Sequence, residues 1–212
     1  MPVDTDLEKE GMIYQRAQYA KGGIGVRYWD YRDAVALSYV VGNRIIDIGC
    51  GEGITLEKLV KNHHGKQITG IDSEPENIAI CQKHGLPVQY GTVFNLPFEA
   101  DSVDCVLFFE VIEHLDESEN ALTEIFRVLR PGGRLILIFP NDKMFMITRL
   151  LIGMFKEAFY DAGHVMQWTP TKIRKMLKST GFSTTKQRNI PFLLWSLSLH
   201  HVAVAEKPLQ VV

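Results

Sequence analysis

The run Arg44-Ile45-Ile46-Asp47-Ile48-Gly49-Cys50-Gly51-Glu52-Gly53 constrains this chain more than any other segment. A strand-like apolar pattern feeds straight into three glycines at alternate positions, and a helical pattern comes next over Leu56–Asn62. Glycines placed after a first strand let the backbone approach a bound group closely, and the helix behind them aims its free amides at that group. Taken alone, such a run is as much a tight structural turn as a nucleotide-binding one. The next strand narrows the choice. This second apolar burst ends at Asp72, about 20 residues beyond the turn, where a carboxylate can take both hydroxyls of a ribose. The other role for Asp72 is to cap the helix that Pro75 begins.

From Asn43 onward, apolar bursts alternate with helical patterns, which is the signature of a parallel sheet wrapped by helices. Strands are expected at Arg44–Ile48, Gln67–Asp72, Pro87–Tyr90, Val103–Phe108 and Arg134–Phe139. Helices are expected at Leu56–Asn62, Pro75–His84 and Ala121–Leu129, the last stopped by Pro131-Gly132-Gly133. A further helix over Pro170–Ser179 ends at Gly181, after which Phe182–Asn189 and His200–Glu206 make a hairpin at the sheet edge. The expected fold is α/β: a seven-stranded, mostly parallel sheet with an antiparallel edge hairpin and helices on both faces. A chain of 212 residues suits one domain. Within it, residues 1–42 form a helical N-terminal cap, residues 43–140 the binding core, residues 141–169 an apolar lid insert, and residues 170–212 the C-terminal helix and hairpin.

The formal charge of -2 and a pI near 6.4 offer no broad positive field, which disfavours a nucleic-acid partner and favours a small-molecule substrate. Cys50, Cys81 and Cys105 lack paired spacing, so neither a disulfide framework nor a thiolate zinc site is expected. The start Met1–Glu10 has no apolar core of a secretory signal, and no run approaches the roughly 20 apolar residues of a spanning helix. The expected location is cytoplasmic.

The glycine turn is succeeded by Gly70-Ile71-Asp72, then Gly91-Thr92-Val93-Phe94-Asn95-Leu96-Pro97-Phe98, Ser102-Val103-Asp104-Cys105-Val106 and Val128-Leu129-Arg130-Pro131-Gly132-Gly133. These segments, in this order and spanning about Ile45 to Phe139, resemble the class I S-adenosylmethionine-dependent methyltransferases of the ubiquinone and menaquinone biosynthesis kind. The resemblance implies a Rossmann-like fold and S-adenosylmethionine as cofactor. Asp47, Gly49, Cys50 and Gly51 would surround its methionine part, Asp72 and Ser73 its ribose, and Thr92 and Val93 its adenine, with Phe109 and Glu110 at its flank. Many relatives have an acidic residue where Thr92 stands, so backbone carbonyls are the expected contact to the adenine amino group. A dinucleotide dehydrogenase shares the first two features but is not expected to carry the Leu-Arg-Pro-Gly-Gly turn.

After the fourth strand comes Phe109-Glu110-Val111-Ile112-Glu113-His114-Leu115, and a helical turn there would set Glu110, Glu113 and His114 on one face. Two carboxylates and an imidazole so placed can bind a divalent cation or accept protons, and both roles help transfer a methyl group to a hydroxyl. Small-RNA 2'-hydroxyl methyltransferases and the ubiquinone-pathway O-methyltransferases carry a similar Glu-x-x-Glu-His motif with a later histidine. Transferred residue by residue, the implied ligands of a magnesium ion are Glu110, Glu113, His114 and His164; the first three are the candidates for activating the acceptor. The competing reading leaves Glu110 bordering the cofactor and His114 packing or capping.

Residues 144–160 form an apolar stripe with Arg149 and Lys156 opposite, either packed on the domain or dipping into a membrane surface as a peripheral contact. The apolar patch Phe192-Leu193-Leu194-Trp195 is expected near the same end of the fold. Tyr28, Trp29 and Tyr31, with Arg27 and Arg32, either close over the site or pack on the sheet. The chain thus reads as an O-methyltransferase of a small, apolar or quinone-like acceptor. The alternatives are a small-RNA terminal 2'-O-methyltransferase and a non-catalytic S-adenosylmethionine-binding protein.

Overall fold

Strand order decides where a ligand can sit in a sheet of this kind. The computed structural model, which describes residues 15–151, 153 and 164–209, holds one seven-stranded sheet in the order β3-β2-β1-β4-β5-β7-β6. Its strands are β1 Arg44–Ile48, β2 Gln67–Asp72, β3 Val88–Tyr90, β4 Val103–Phe109, β5 Leu129–Pro140, β6 Ser183–Ile190 and β7 His200–Glu206. The first five run parallel, and β7 lies antiparallel between β5 and β6. The chain winds outward from β1 in both directions, so the crevice above the carboxyl ends of β1 and β4 is the topological switch point where ligands of open α/β sheets bind.

Among the described residues, helices flank the sheet at α1 Gln15–Lys21, α2 Ile24–Leu37, α3 Ile54–Asn62, α4 Pro75–Lys83, α5 Ser118–Val128, α6 Asp142–Leu151 and α7 Pro170–Ser179. Alternation along the strands supplies both faces. Ile46, Val106, Leu135 and Leu137 pack with Leu122 and Ile125 of α5 and with Ile173 and Leu177 of α7. Ile45, Leu107, Ile136 and Ile138 pack with Ala36 and Leu37 of α2, Leu56 and Leu59 of α3 and Cys81 of α4. That two-sided burial is why these strands read as continuous apolar runs. The N-terminal segment is two helices, parted at Gly22 and Gly23, and α2 joins the core instead of lying wholly over the site. Much of the apolar insert, residues 152 and 154–163, lies outside the described residues, as do 1–14 and 210–212.

β5 begins at Leu129, earlier than the apolar burst at Arg134 implies. Leu129 pairs with Val103 ahead of a register shift, so the Pro-Gly-Gly segment that ends α5 is itself extended along the sheet.

His201 of β7 is a buried histidine whose chemistry is structural. Its Nδ1 meets Asn189 Oδ1 at 2.6 Å, its Nε2 has no partner, and burial pushes its pKa down from 6.5 to about 4. The folded state therefore binds fewer protons than the unfolded chain between those values. Stability is retained above pH 6.5 and falls, by up to about 3 kcal/mol, as pH drops toward 4. His201→Gln, which keeps a donor to Asn189 without titrating, should flatten the slope of unfolding free energy against pH by about one proton in that window. Urea titrations across pH 4–7 measure it, and identical slopes would contradict this role.

Candidate active site

Two cavities open on either side of Gly49, at the switch point. The larger, about 250 Å³, is lined among others by Trp29, Arg32, Asp33, Asp47, Phe109 and Glu110. The smaller, about 120 Å³, is lined by Ile71, Asp72, Ser73, Thr92, Val93 and Val111 among others. Gly49 and Cys50 send their amides to the Ile71 carbonyl at 2.7 and 3.1 Å, which ties the glycine turn down onto β2. Gly49 has φ +69° and a Cβ there would lie 2.3 Å from Val111 Cγ2, so only glycine fits between the cavities.

The cofactor-binding candidates fall on these walls. Asp47, Cys50, Gly51, Phe109 and Glu110 line the larger cavity; Asp72, Ser73, Thr92 and Val93 line the smaller one; Gly49 borders both. Asp72 accepts from Gly51 N at 2.7 Å with one oxygen, and from Glu74 N and Asn77 Nδ2 with the other. Asp72 thus braces the turn ahead of α4 without capping the amides of its first turn, and spare lone pairs still leave it able to accept from ribose hydroxyls. Thr92 Oγ1 accepts from Phe94 N, so its side chain is engaged in the turn.

The donor set suits an amino acid at the larger cavity. Asp47 is buried with Oδ2 lacking any partner, and burial, then Asp33 and other acidic neighbours, pushes its carboxyl up to about 8. A ligand ammonium would relieve that. Beside it, the buried Arg32 guanidinium gives Nε and Nη2 to Asp33 Oδ1, at 3.0 and 2.9 Å, and Nη1 to Glu110. Lys58 Nζ holds the second oxygen of Asp33 at 2.7 Å.

Glu110 does not join Glu113 and His114, contrary to the expectation of a shared helical face. β4 ends at Phe109, Glu110 takes left-handed backbone at φ +54°, and only then does a 3-10 turn, Ile112–His114, begin. The reversal breaks the three- and four-residue alignment and sends Glu110 toward Arg32 and His200. Arg32 and His200 hold its carboxyl well below the usual carboxylate range, against the opposing effect of burial. With both of its oxygens so engaged, Glu110 leaves the expected metal-ligand set.

Glu113, His114 and His164 do converge: each offers a ligand atom within 4.8 Å of the others. Glu113 is 2 % exposed, and neither carboxylate oxygen has a partner. Desolvation, then the charge of Glu110, pushes it up to about 9. His164 is brought in by backbone clamps: Val165 N and Met166 N donate to the Glu113 carbonyl at 2.8 and 3.2 Å, and Trp168 Nε1 donates to the Ile112 carbonyl. The His114 and His164 rings meet edge to face at 4.9 Å. His164 Nδ1 faces Asp142 Oδ1 at 2.8 Å, leaving Nε2 for a cation, the usual outer support of a metal-bound imidazole. Sequence reasoning missed Asp142, although its place at the start of the helix after β5 was a usable signal. It also left Arg32 undecided between closing over the site and packing.

A family described as a methyltransferase domain matches residues 46–137. The ubiquinone biosynthesis O-methyltransferase of Roseobacter denitrificans is 28% identical over 204 residues, covering 84% of this chain and 78% of that protein. The phthiotriol/phenolphthiotriol dimycocerosates methyltransferase of Mycobacterium leprae is 38% identical over 109 residues, 49% of this chain and only 40% of that protein. A SAM-dependent methyltransferase from Archaeoglobus fulgidus superposes with TM-score 0.70 over 92% of this chain and 100% of its own, at 18% identity, which supports the fold.

Proposed function

We propose that this chain, which belongs to the class I S-adenosylmethionine-dependent methyltransferases, transfers the methyl group to a hydroxyl of a small, apolar, quinone-like acceptor. The observation that carries the reading is the partnerless, buried Glu113 carboxylate, which gathers with His114 and His164 in the segment that follows Glu110 and Val111 of the cavity walls. The likeness to a ubiquinone biosynthesis O-methyltransferase over most of both chains supports the acceptor class.

In this reading Asp47 and Arg32 would take the ammonium and carboxylate of the cofactor, Asp72 with Ser73 its ribose, and Thr92 and Val93 its adenine. The glycine turn would hold the methionine part, and catalysis is mostly positioning. Glu113, His114 and His164 fit a divalent cation, which when bound would lower the pKa of an acceptor hydroxyl. One carboxylate and two imidazoles suit zinc or manganese better than magnesium, which prefers oxygen ligands. Asp142 fixes the ring of His164, and Glu113 would give up its proton on holding the cation.

No helix among the described residues is long and apolar enough to cross a membrane. A peripheral contact is nevertheless supported. Phe192, Leu193 (92% exposed), Leu194 and Leu197 stand out from the β6–β7 loop, and Leu151 (82% exposed) from α6. Between Asp161 and Glu206 the sequence has no acidic residue but carries Lys172, Arg174, Lys175, Lys178, Lys186 and Arg188. Apolar side chains flanked by cations suit an anionic bilayer surface. The pair Leu193→Asp and Leu194→Asp should cut co-sedimentation with phosphatidylglycerol vesicles by about tenfold or more, each burying nearly a side chain's worth of apolar area. Undiminished sedimentation would rule out this membrane contact.

The acceptor is tested with methyl-labelled cofactor against catechols and hydroquinones bearing alkyl tails of increasing length, with the methylated atom identified by NMR. O-methyl product that rises with tail length is expected. Methylation of short RNA in preference to the phenols would favour the small-RNA reading, and no product from any acceptor would favour a binding protein without catalysis.

A further inference from the structure

We infer that His200 and Tyr28 are positioning residues for the amino-acid end of the cofactor: through Glu110 they fix the Arg32 guanidinium so that its remaining N–H groups face the larger cavity. This rests on the proposed role of Arg32 as partner of the cofactor carboxylate. A continuous chain of contacts joining three elements carries it. Tyr28 and Arg32 lie one turn apart on α2, Glu110 sits just past the end of β4, and His200 opens β7. Tyr28 Oη meets His200 Nδ1 at 2.6 Å, His200 Nε2 meets Glu110 Oε1 at 2.6 Å, and Glu110 Oε2 accepts from Arg32 Nη1.

The chemistry of the chain orders its protons. Glu110 is an anion and only accepts, so His200 donates from Nε2 and its bare Nδ1 accepts from the Tyr28 hydroxyl. That is one neutral tautomer, in keeping with the burial that lowers the His200 pKa. His200 has no exposed surface and cannot turn: Tyr28 stacks on it at 5.6 Å and Phe145 meets it edge-on at 5.0 Å. Glu110, by contrast, keeps 37% of its side chain open to the cavity. Without His200 it would be free to leave Arg32. Asp33 and Glu110 occupy three of the five N–H groups of Arg32. A guanidinium already fixed by both carboxylates loses little rotamer freedom when it takes a third, which is how preorganisation raises affinity.

A merely structural role for His200 would affect every ligand alike, so the test compares two. S-adenosylhomocysteine carries the amino-acid end, and 5'-methylthioadenosine lacks it. In calorimetric titrations of the full chain, His200→Phe is expected to weaken S-adenosylhomocysteine at least tenfold and 5'-methylthioadenosine less than twofold. His200→Gln, whose amide still donates to Glu110, should recover most of the loss. Tyr28→Phe, which removes one hydroxyl, should give a smaller loss of the same selectivity and stands in if His200→Phe does not fold. Arg32→Met should lower the ratio of the two affinities and leave nothing for His200→Phe to add. If Arg32→Met leaves that ratio unchanged, the carboxylate reading of Arg32 fails. If Arg32→Met lowers it while His200→Phe and Tyr28→Phe weaken both ligands equally or neither, the positioning role alone is overturned.

Discussion

Glu113→Gln should lower kcat by about a hundredfold to a thousandfold while leaving the affinity for S-adenosylhomocysteine within about twofold, the effect expected for losing the charged ligand of a cation that activates the acceptor. The split comes from geometry. Glu113 lines neither cavity, so the cofactor does not touch it, yet its two oxygens are the partnerless acceptors of the cluster with His114 and His164. Glutamine keeps the volume and one carbonyl oxygen but cannot lose a proton to become the charged ligand of a cation. Steady-state kinetics with a responsive phenolic acceptor, beside calorimetry of the cofactor product, reads both halves. A kcat near that of the unaltered protein would make the cluster structural.

Gly49→Ala should do the opposite, raising the dissociation constant of S-adenosylhomocysteine by about a hundredfold or more. Two penalties coincide there. An L side chain at φ +69° costs about 1–2 kcal/mol, and its Cβ would press to 2.3 Å from Val111 Cγ2, which must move into the smaller cavity. The comparison is Gly85→Ala, between α4 and β3, with φ +67° but nothing within 4 Å of its Cβ. It carries the same backbone strain away from both cavities, so it should lose stability and retain cofactor affinity. Equal affinities for the two variants would show that Gly49 does not divide a cofactor site.

The fold was largely legible because the sheet is buried on both faces and its strands are written as apolar bursts. β1, β2 and β7 have the bounds expected from sequence. The start of β5 was hidden because Leu129–Gly133 looks like a helix stop, and it is one, yet it also pairs along the sheet through a register shift. At the candidate site, the residues that spacing singled out, the glycine turn and Asp72, fall on the cavity walls. Glu110 misled for a physical reason: periodicity assumes right-handed backbone, and the left-handed residue at the strand end appears in no pattern of residue types. Arg32, His200 and Asp142 act through partners 78, 90 and 22 residues away, so only tertiary packing reveals them. His164 was reachable from sequence through the resemblance alone, while the clamps that place it are backbone bonds to Glu113.

Metal-assisted methyl transfer is tested most directly with labelled S-adenosylmethionine and an alkylated catechol, using protein stripped of metal and assayed before and after zinc or manganese is returned. Little product is expected from the stripped protein, with recovery on adding the cation and no recovery in Glu113→Gln. Full activity in the stripped protein, undiminished by the Glu113 substitution, would refute a role for the Glu113, His114 and His164 cluster in the transfer.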